Sequence, residues 1–224
     1  MASLARRSLL TFGLTAGVCA LGDVGRRGPA PEPMFVLKPF ARYRTVRSFA
    51  GCLLFYDEEM PLPLRRAIDA ELDRADAVPA TPAQERQCAE FFAWLAVRSI
   101  APRALRRAGY DALAADCEKQ LIPGNGGGAC SVAQHTIGTQ YAYSSSEPPL
   151  AVLAYEASAR ASTAAFYAGH EDIAVVTQTG RCCAEALLGG SFYDNDIDTA
   201  EASWLWGFAA TAINTAARPP KSPG

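Results

Sequence analysis

The sequence predicts an all-α protein, a single-domain antiparallel helical bundle of about six to eight helices running from about Phe40 to Ala217. Three observations carry that expectation. Helix-start signals recur along the chain, apolar residues return every three or four positions, and the alternation expected of strands hardly occurs.

The elements follow in order. In KPFARYRTVRSFAGCLLFYDEE, Val46, Phe49, Ala50, Leu53 and Leu54 share one helical face. Pro61 and Pro63 break the chain, and Pro63 suits the first turn of a helix whose apolar positions are Leu64, Ile68, Leu72 and Ala75, ending at Val78-Pro79. Thr81-Pro82-Ala83-Gln84 is a capping box, in which hydroxyl and amide side chains each satisfy an orphan backbone N–H. The helix it opens turns Cys88, Phe91, Phe92 and Leu95 inward and stops near Pro102, which begins another helix ending at Gly109. Asp111 caps the next, which carries Leu113, Cys117 and Leu121.

PGNGGGAC follows as the longest irregular run, and Ser131-Val132-Ala133-Gln134 reads as a second capping box. From Pro149 to Ala168, Leu150, Leu153, Ala157, Ala161, Ala164 and Ala168 form a stripe of mostly small residues that lets a neighbour approach closely, while Glu156 and Arg160 lie on a solvated face. Ile173, Val176, Gly180, Cys183 and Leu187 form a matching seam, and the Gly169-His170 joint makes a hairpin of the two helices. Asp198 and Glu201 form an Asp-x-x-Glu box opening the last helix, which buries Ala202, Leu205, Ala209, Ala212 and Ala216 before Pro219-Pro220.

The flanks differ in composition. Arg6 and Arg7, an uncharged run from Ser8 to Leu21 and the small-residue triplet ending at Gly22 are the ordered parts of an export signal, twin-arginine-like and cleaved after residue 22. Its apolar run is shorter than the roughly 20 residues a stable membrane helix needs. Residues 23–39 form a Pro/Gly-rich linker, 40–217 the helical domain and 218–224 a disordered tail. The mature chain is thus expected outside the cytoplasm, periplasmic or extracellular, with no stable membrane span; a frayed arm on a cytoplasmic protein is the alternative. Six of the seven cysteines would remain after cleavage, and export would allow disulfides among them, although Cys88, Cys117 and Cys183 fit apolar faces equally well as free thiols.

A net charge of −2 supplies no global field for nucleic acid, and the arginines near Tyr43 are followed at once by Asp57, Glu58 and Glu59, so no nucleic-acid partner is expected. The glycine run lacks the lysine and preceding strand of a phosphate loop. Asp194, Asp196 and Asp198 resemble the opening of a calcium loop, but Thr199 stands where the turn needs glycine. No G-x-S-x-G, H-E-x-x-H, S-x-x-K or C-x-x-C motif occurs, and neither His135 nor His170 has a second histidine at ligand spacing, so no cofactor and no metal are expected. Cys130 is the candidate nucleophile, because a thiol just before a helix N-terminus is acidified by the dipole; His135 or His170 would be its base and Asp172 the orienter.

The segment WLAVRSIAPRALRRAGYDALAADCEKQLIP, the alanine-rich helices after it and Trp204-Leu205-Trp206 resemble uncharacterised alanine-rich, all-helical bacterial proteins, some of which are immunity proteins of toxin systems. The resemblance covers Phe91 to Ala217 and carries over no functional residue. It implies a non-enzymatic helical protein whose partner is another protein. The alternative is a cysteine-dependent hydrolase or transferase centred on Cys130.

Overall fold

The computed structural model describes residues 35–56, 59–121, 127–141, 149–191 and 199–218. The export signal, most of the linker, the aspartates at 194, 196 and 198, and the tail beyond residue 218 lie outside the described residues. The elements are α1 (Arg44–Leu53) with a 3-10 turn (Leu54–Tyr56), α2 (Leu62–Leu72), α3 (Pro82–Leu95), a π-helical segment (Ala96–Ile100), α4 (Ala101–Arg107), α5 (Asp111–Lys119), α6 (Gly128–Tyr141), α7 (Pro149–Ala168), α8 (Ile173–Val176), α9 (Thr179–Gly189) and α10 (Thr199–Ala216). With α3 to α4 taken as one rod and α8 as a single turn, the described residues form a bundle of eight helices and no strand.

The alanine-rich α7 sits at the centre. Ala154, Ala157, Ala161 and Ala164 are fully buried, and side chains this small lose no rotamer freedom while letting neighbours come close. Around it pack α9, α6, α4, α3 and the π segment, and α9 is packed in turn against α1. The aliphatic and aromatic bulk of the core comes from elsewhere, with Phe49 of α1 stacked on Phe92 of α3 at 4.7 Å between ring centroids.

The first turn of α1 is held by other helices. Tyr43 precedes it without any side-chain cap. Glu85 of α3, almost wholly buried, supplies one: its carboxylate accepts from the backbone N–H of Arg44 at 2.7 Å and of Thr45 at 3.0 Å, and from the Thr45 hydroxyl at 2.7 Å. A carboxylate there satisfies orphan donors and meets the positive end of the helix dipole. Glu71 of α2 does the same for the preceding segment, accepting from Phe40 N–H at 2.6 Å and Ala41 N–H at 3.0 Å. Farther out, the Asn214 side chain of α10 bonds Lys38 N–H and the Val36 carbonyl, which lays the last of the linker along the domain.

Several boundaries differ from the sequence expectation, each for a physical reason. Pro102 does not stop its helix. The π segment before it, closed by a bond from Ala101 N–H to the Ala96 carbonyl, widens the turn and carries the ladder past a residue without an amide hydrogen. The end at Gly109 is as expected: its φ of 83° and the bonds from Tyr110 N–H to Leu105 and Gly109 N–H to Arg106 make a Schellman motif. That motif leaves Tyr110 at the cap, so Asp111 is the first residue of α5 instead, and Leu121, beyond the helix, is exposed. Helix α2 ends at Leu72, because the Arg47 guanidinium bonds the Glu71 and Leu72 carbonyls; Ala75 is exposed.

Two further differences concern charged and small residues. Helix α6 begins at Gly128, where Ser131 N–H already bonds the Gly127 carbonyl, so Ser131 lies within the helix instead of capping it. Glu201, at the start of α10, is buried and forked onto Arg103 of α4 through two 2.6 Å bonds, with Arg107 at 2.9 Å and the Arg103 guanidinium 3.6 Å over the Trp204 ring. Paired in this way, a buried carboxylate ties α10 to α4. Of the expected seam, Val176, Gly180, Cys183 and Leu187 are all buried, yet Gly180 faces α1.

At Gly180 a Cβ would lie 2.0 Å from the Thr45 carbonyl oxygen and 3.0 Å from Phe49 N, both backbone atoms that cannot give way. Gly180→Ala is therefore expected to destabilise by about 3 kcal/mol or more. Gly207→Ala in α10, where a Cβ meets nothing within 4 Å, is expected to stabilise by about 0.5–1 kcal/mol. Urea denaturation of the two variants beside the parent measures both.

Candidate functional site

Residues Arg44, Arg47 and Ser48 lie at i, i+3 and i+4 of α1, so they project from one face of its first two turns. That face is one wall of a groove of about 490 Å³ whose remaining lining is Leu72 at the end of α2 and Ala174, Thr177 and Gln178 of α8 and the turn after it. Asp172 holds the far wall by accepting from Ala174 N–H at 2.8 Å, and the Thr177 hydroxyl donates to the Ala174 carbonyl at 2.9 Å.

The two arginines are not equivalent. Arg47 is committed to the end of α2 through bonds of 3.2 and 2.7 Å. Arg44 is exposed, and its guanidinium has no partner among the described residues; the same holds of the Ser48 hydroxyl and the Gln178 amide. Among the described residues no carboxylate lines the groove: Glu85 is turned onto backbone N–H groups, and Glu71 onto backbone N–H groups and the Arg74 guanidinium. Such a surface offers a free planar cation, two adaptable polar groups and an apolar strip, which together suit an anionic group carried on an extended segment.

The cysteine candidate has different surroundings. Cys130 is the third residue of α6, fully buried, with its Sγ donating to Cys117 Sγ of α5 at 3.5 Å. The bond to Cys117 and burial push the Cys130 thiol well above its ordinary range, the opposite of the acidification expected from a helix N-terminus. His135 is five residues further along the same helix, roughly 140° round its axis, and exposed. His170 and Asp172 do meet, but His170 Nδ1 accepts from the Asp172 backbone N–H at 3.0 Å while the Asp172 carboxylate caps α8. Among the described residues no three His, Cys, Asp or Glu side chains gather where they could hold a metal ion, and no helix is long and apolar enough to cross a membrane.

Sequence reading alone missed the groove and the two buried carboxylates. Only the spacing Arg44-x-x-Arg47-Ser48 was available as a signal for the groove, and its opposite wall lies more than a hundred residues away. Glu85 carries no local mark that separates it from a solvated helix residue.

Burial pushes the Cys52 and Cys182 thiols up to about 11 and Cys88 up to about 12, from an ordinary 9.0. Folding therefore keeps protons that the unfolded chain releases, so the contribution of these thiols to stability is full below about pH 9 and is lost as pH rises towards 11–12. The melting temperature is expected to fall across that window, and less steeply in Cys52→Ala/Cys182→Ala; equal slopes would contradict the assignment. At neutral pH, iodoacetamide is expected to label Cys130 of the native protein no faster than its other buried thiols. Compared with known proteins, the chain matches no family model, no curated protein and no solved structure.

Proposed function

We propose that this is a non-enzymatic helical protein that binds another protein, and that it does so by taking an acidic segment of the partner into the groove of Arg44, Ser48 and Gln178. One observation carries the proposal: an open groove with an unspent guanidinium and no carboxylate in its lining. On an acidic chain of net charge −2, a local cationic groove discriminates by charge and steers an acidic partner towards one face. The resemblance to helical immunity proteins accords with a toxin as that partner. The export signal read at Arg6-Arg7 puts the encounter outside the cytoplasm.

The test is a photo-crosslinking amino acid placed at Gln178 in the native host. A partner is expected to be captured there, and not from the exposed Val132 on α6. Arg44→Glu is expected to weaken capture by about tenfold or more, and added salt to weaken it further. The variant is expected to keep the fold, since the Arg44 side chain is exposed and has no partner among the described residues, and circular dichroism of the variant checks this against repulsion from the Glu85 carboxylate that caps the same turn. Equal capture from Val132, or capture indifferent to Arg44→Glu, would overturn the proposal.

A further inference from the structure

We infer that Cys117 and Cys130 are a disulfide-forming pair, converted by an oxidant of the disulfide class into a covalent staple between α5 and α6. The two sulfurs lie 3.5 Å apart, both belong to fully buried residues, and they face each other across the junction of α5 and α6. Closing to a bond of about 2.05 Å asks for a shift of about 1.5 Å shared between two side chains. Cys88 is differently placed, with its thiol on the Ala216 carbonyl at 3.6 Å. Cys52 lies near enough to Cys182 and Cys183 to raise their thiols electrostatically, but among the described residues only Cys130 and Cys117 are joined sulfur to sulfur by a hydrogen bond. The inference is independent of the groove and of any partner.

The chemistry balances as a two-step exchange. Cys117 is the attacking group, because the hydrogen bond it accepts from Cys130 favours its thiolate. Its sulfur, having given up a proton, attacks one sulfur of the oxidant, breaking the oxidant's S–S bond and releasing one thiol. Cys130, deprotonated in turn, attacks Cys117 Sγ in the mixed disulfide and expels the second thiol. Two protein thiols are oxidised, and two electrons and two protons leave on the oxidant's sulfurs. Because the folded chain covers both sulfurs, the exchange belongs to folding, before α5 docks. An oxidising compartment, as export would supply, provides oxidants of this class.

The experiment is refolding of the full chain from urea in oxidised glutathione, followed by iodoacetamide block and peptide mapping without reduction. Expected is a peptide pair joined through Cys117 and Cys130 that dithiothreitol separates, with a melting temperature about 5–10 °C above that of the reduced protein. Cys52→Ser is expected to leave the joined pair in place, and Cys117→Ser or Cys130→Ser to abolish it. Should either of the last two fail to fold, the map of the parent chain decides. Alkylation of both Cys117 and Cys130 after oxidative refolding, or either one joined to another cysteine, would overturn the inference.

Discussion

Thr45 is where the fold is tied. Its N–H and hydroxyl end on the Glu85 carboxylate of α3, and its carbonyl lies so close to α9 that only glycine fits at position 180. One residue of α1 is thereby gripped from two sides by helices that are distant in sequence. A carboxylate buried this deeply is tolerable because hydrogen-bond donors saturate it, and removing those donors would leave a charge without water. The grip also explains why α1 can begin without a cap of its own. The cap is tertiary, and the helix start is specified by where α3 places Glu85.

The groove is a consequence of the same grip. Once Thr45 is fixed, helical periodicity sends Arg44, Arg47 and Ser48 to the side opposite the core-facing Val46 and Phe49. Arg47 then finds the final carbonyls of α2, which both ends that helix and sets Leu72 at the groove's edge. Arg44 is left over, because Glu71 and Glu85 are held on backbone N–H groups, and Glu71 also on Arg74, so neither reaches its guanidinium. A guanidinium without a side-chain partner on an acidic protein arises here because internal capping holds the nearby carboxylates, which keep their charge, away from it.

The thiols belong to a different economy of space. A centre built on alanine leaves narrow gaps between helix axes, and cysteine, small and weakly polar, fills such gaps without demanding a hydrogen-bond partner. Most of the six end up as protonated core residues for that reason. The pairing of Cys117 with Cys130 follows from connectivity. Helices α5 and α6 are consecutive, and an inward position near the end of one meets an inward position near the start of the next.

What the sequence determined by itself was everything governed by neighbours within one or two turns. The Thr81–Gln84 box, the stop at Gly109 and most of the inward faces of α1, α7 and α10 could be read because caps and apolar spacing are local physics; Leu150, in the first turn of α7, is exposed, and Leu54 and Ala202 at helix ends are half-buried. Tertiary structure decided the rest. Pro102 looked like a break and was carried through by a π turn; Glu201 looked like a cap and became the buried partner of Arg103 and Arg107. Cys130 looked acidified and was buried against Cys117, while Gly180 looked like part of a seam on α7 and proved to be the contact with α1. For Glu201, Cys130 and Gly180 the deciding atom came from a different helix, and no local pattern encodes which distant side chain or carbonyl will arrive at a given position; at Pro102 it was the Ala96 carbonyl of the same rod, reached by a turn wider than the usual helical one.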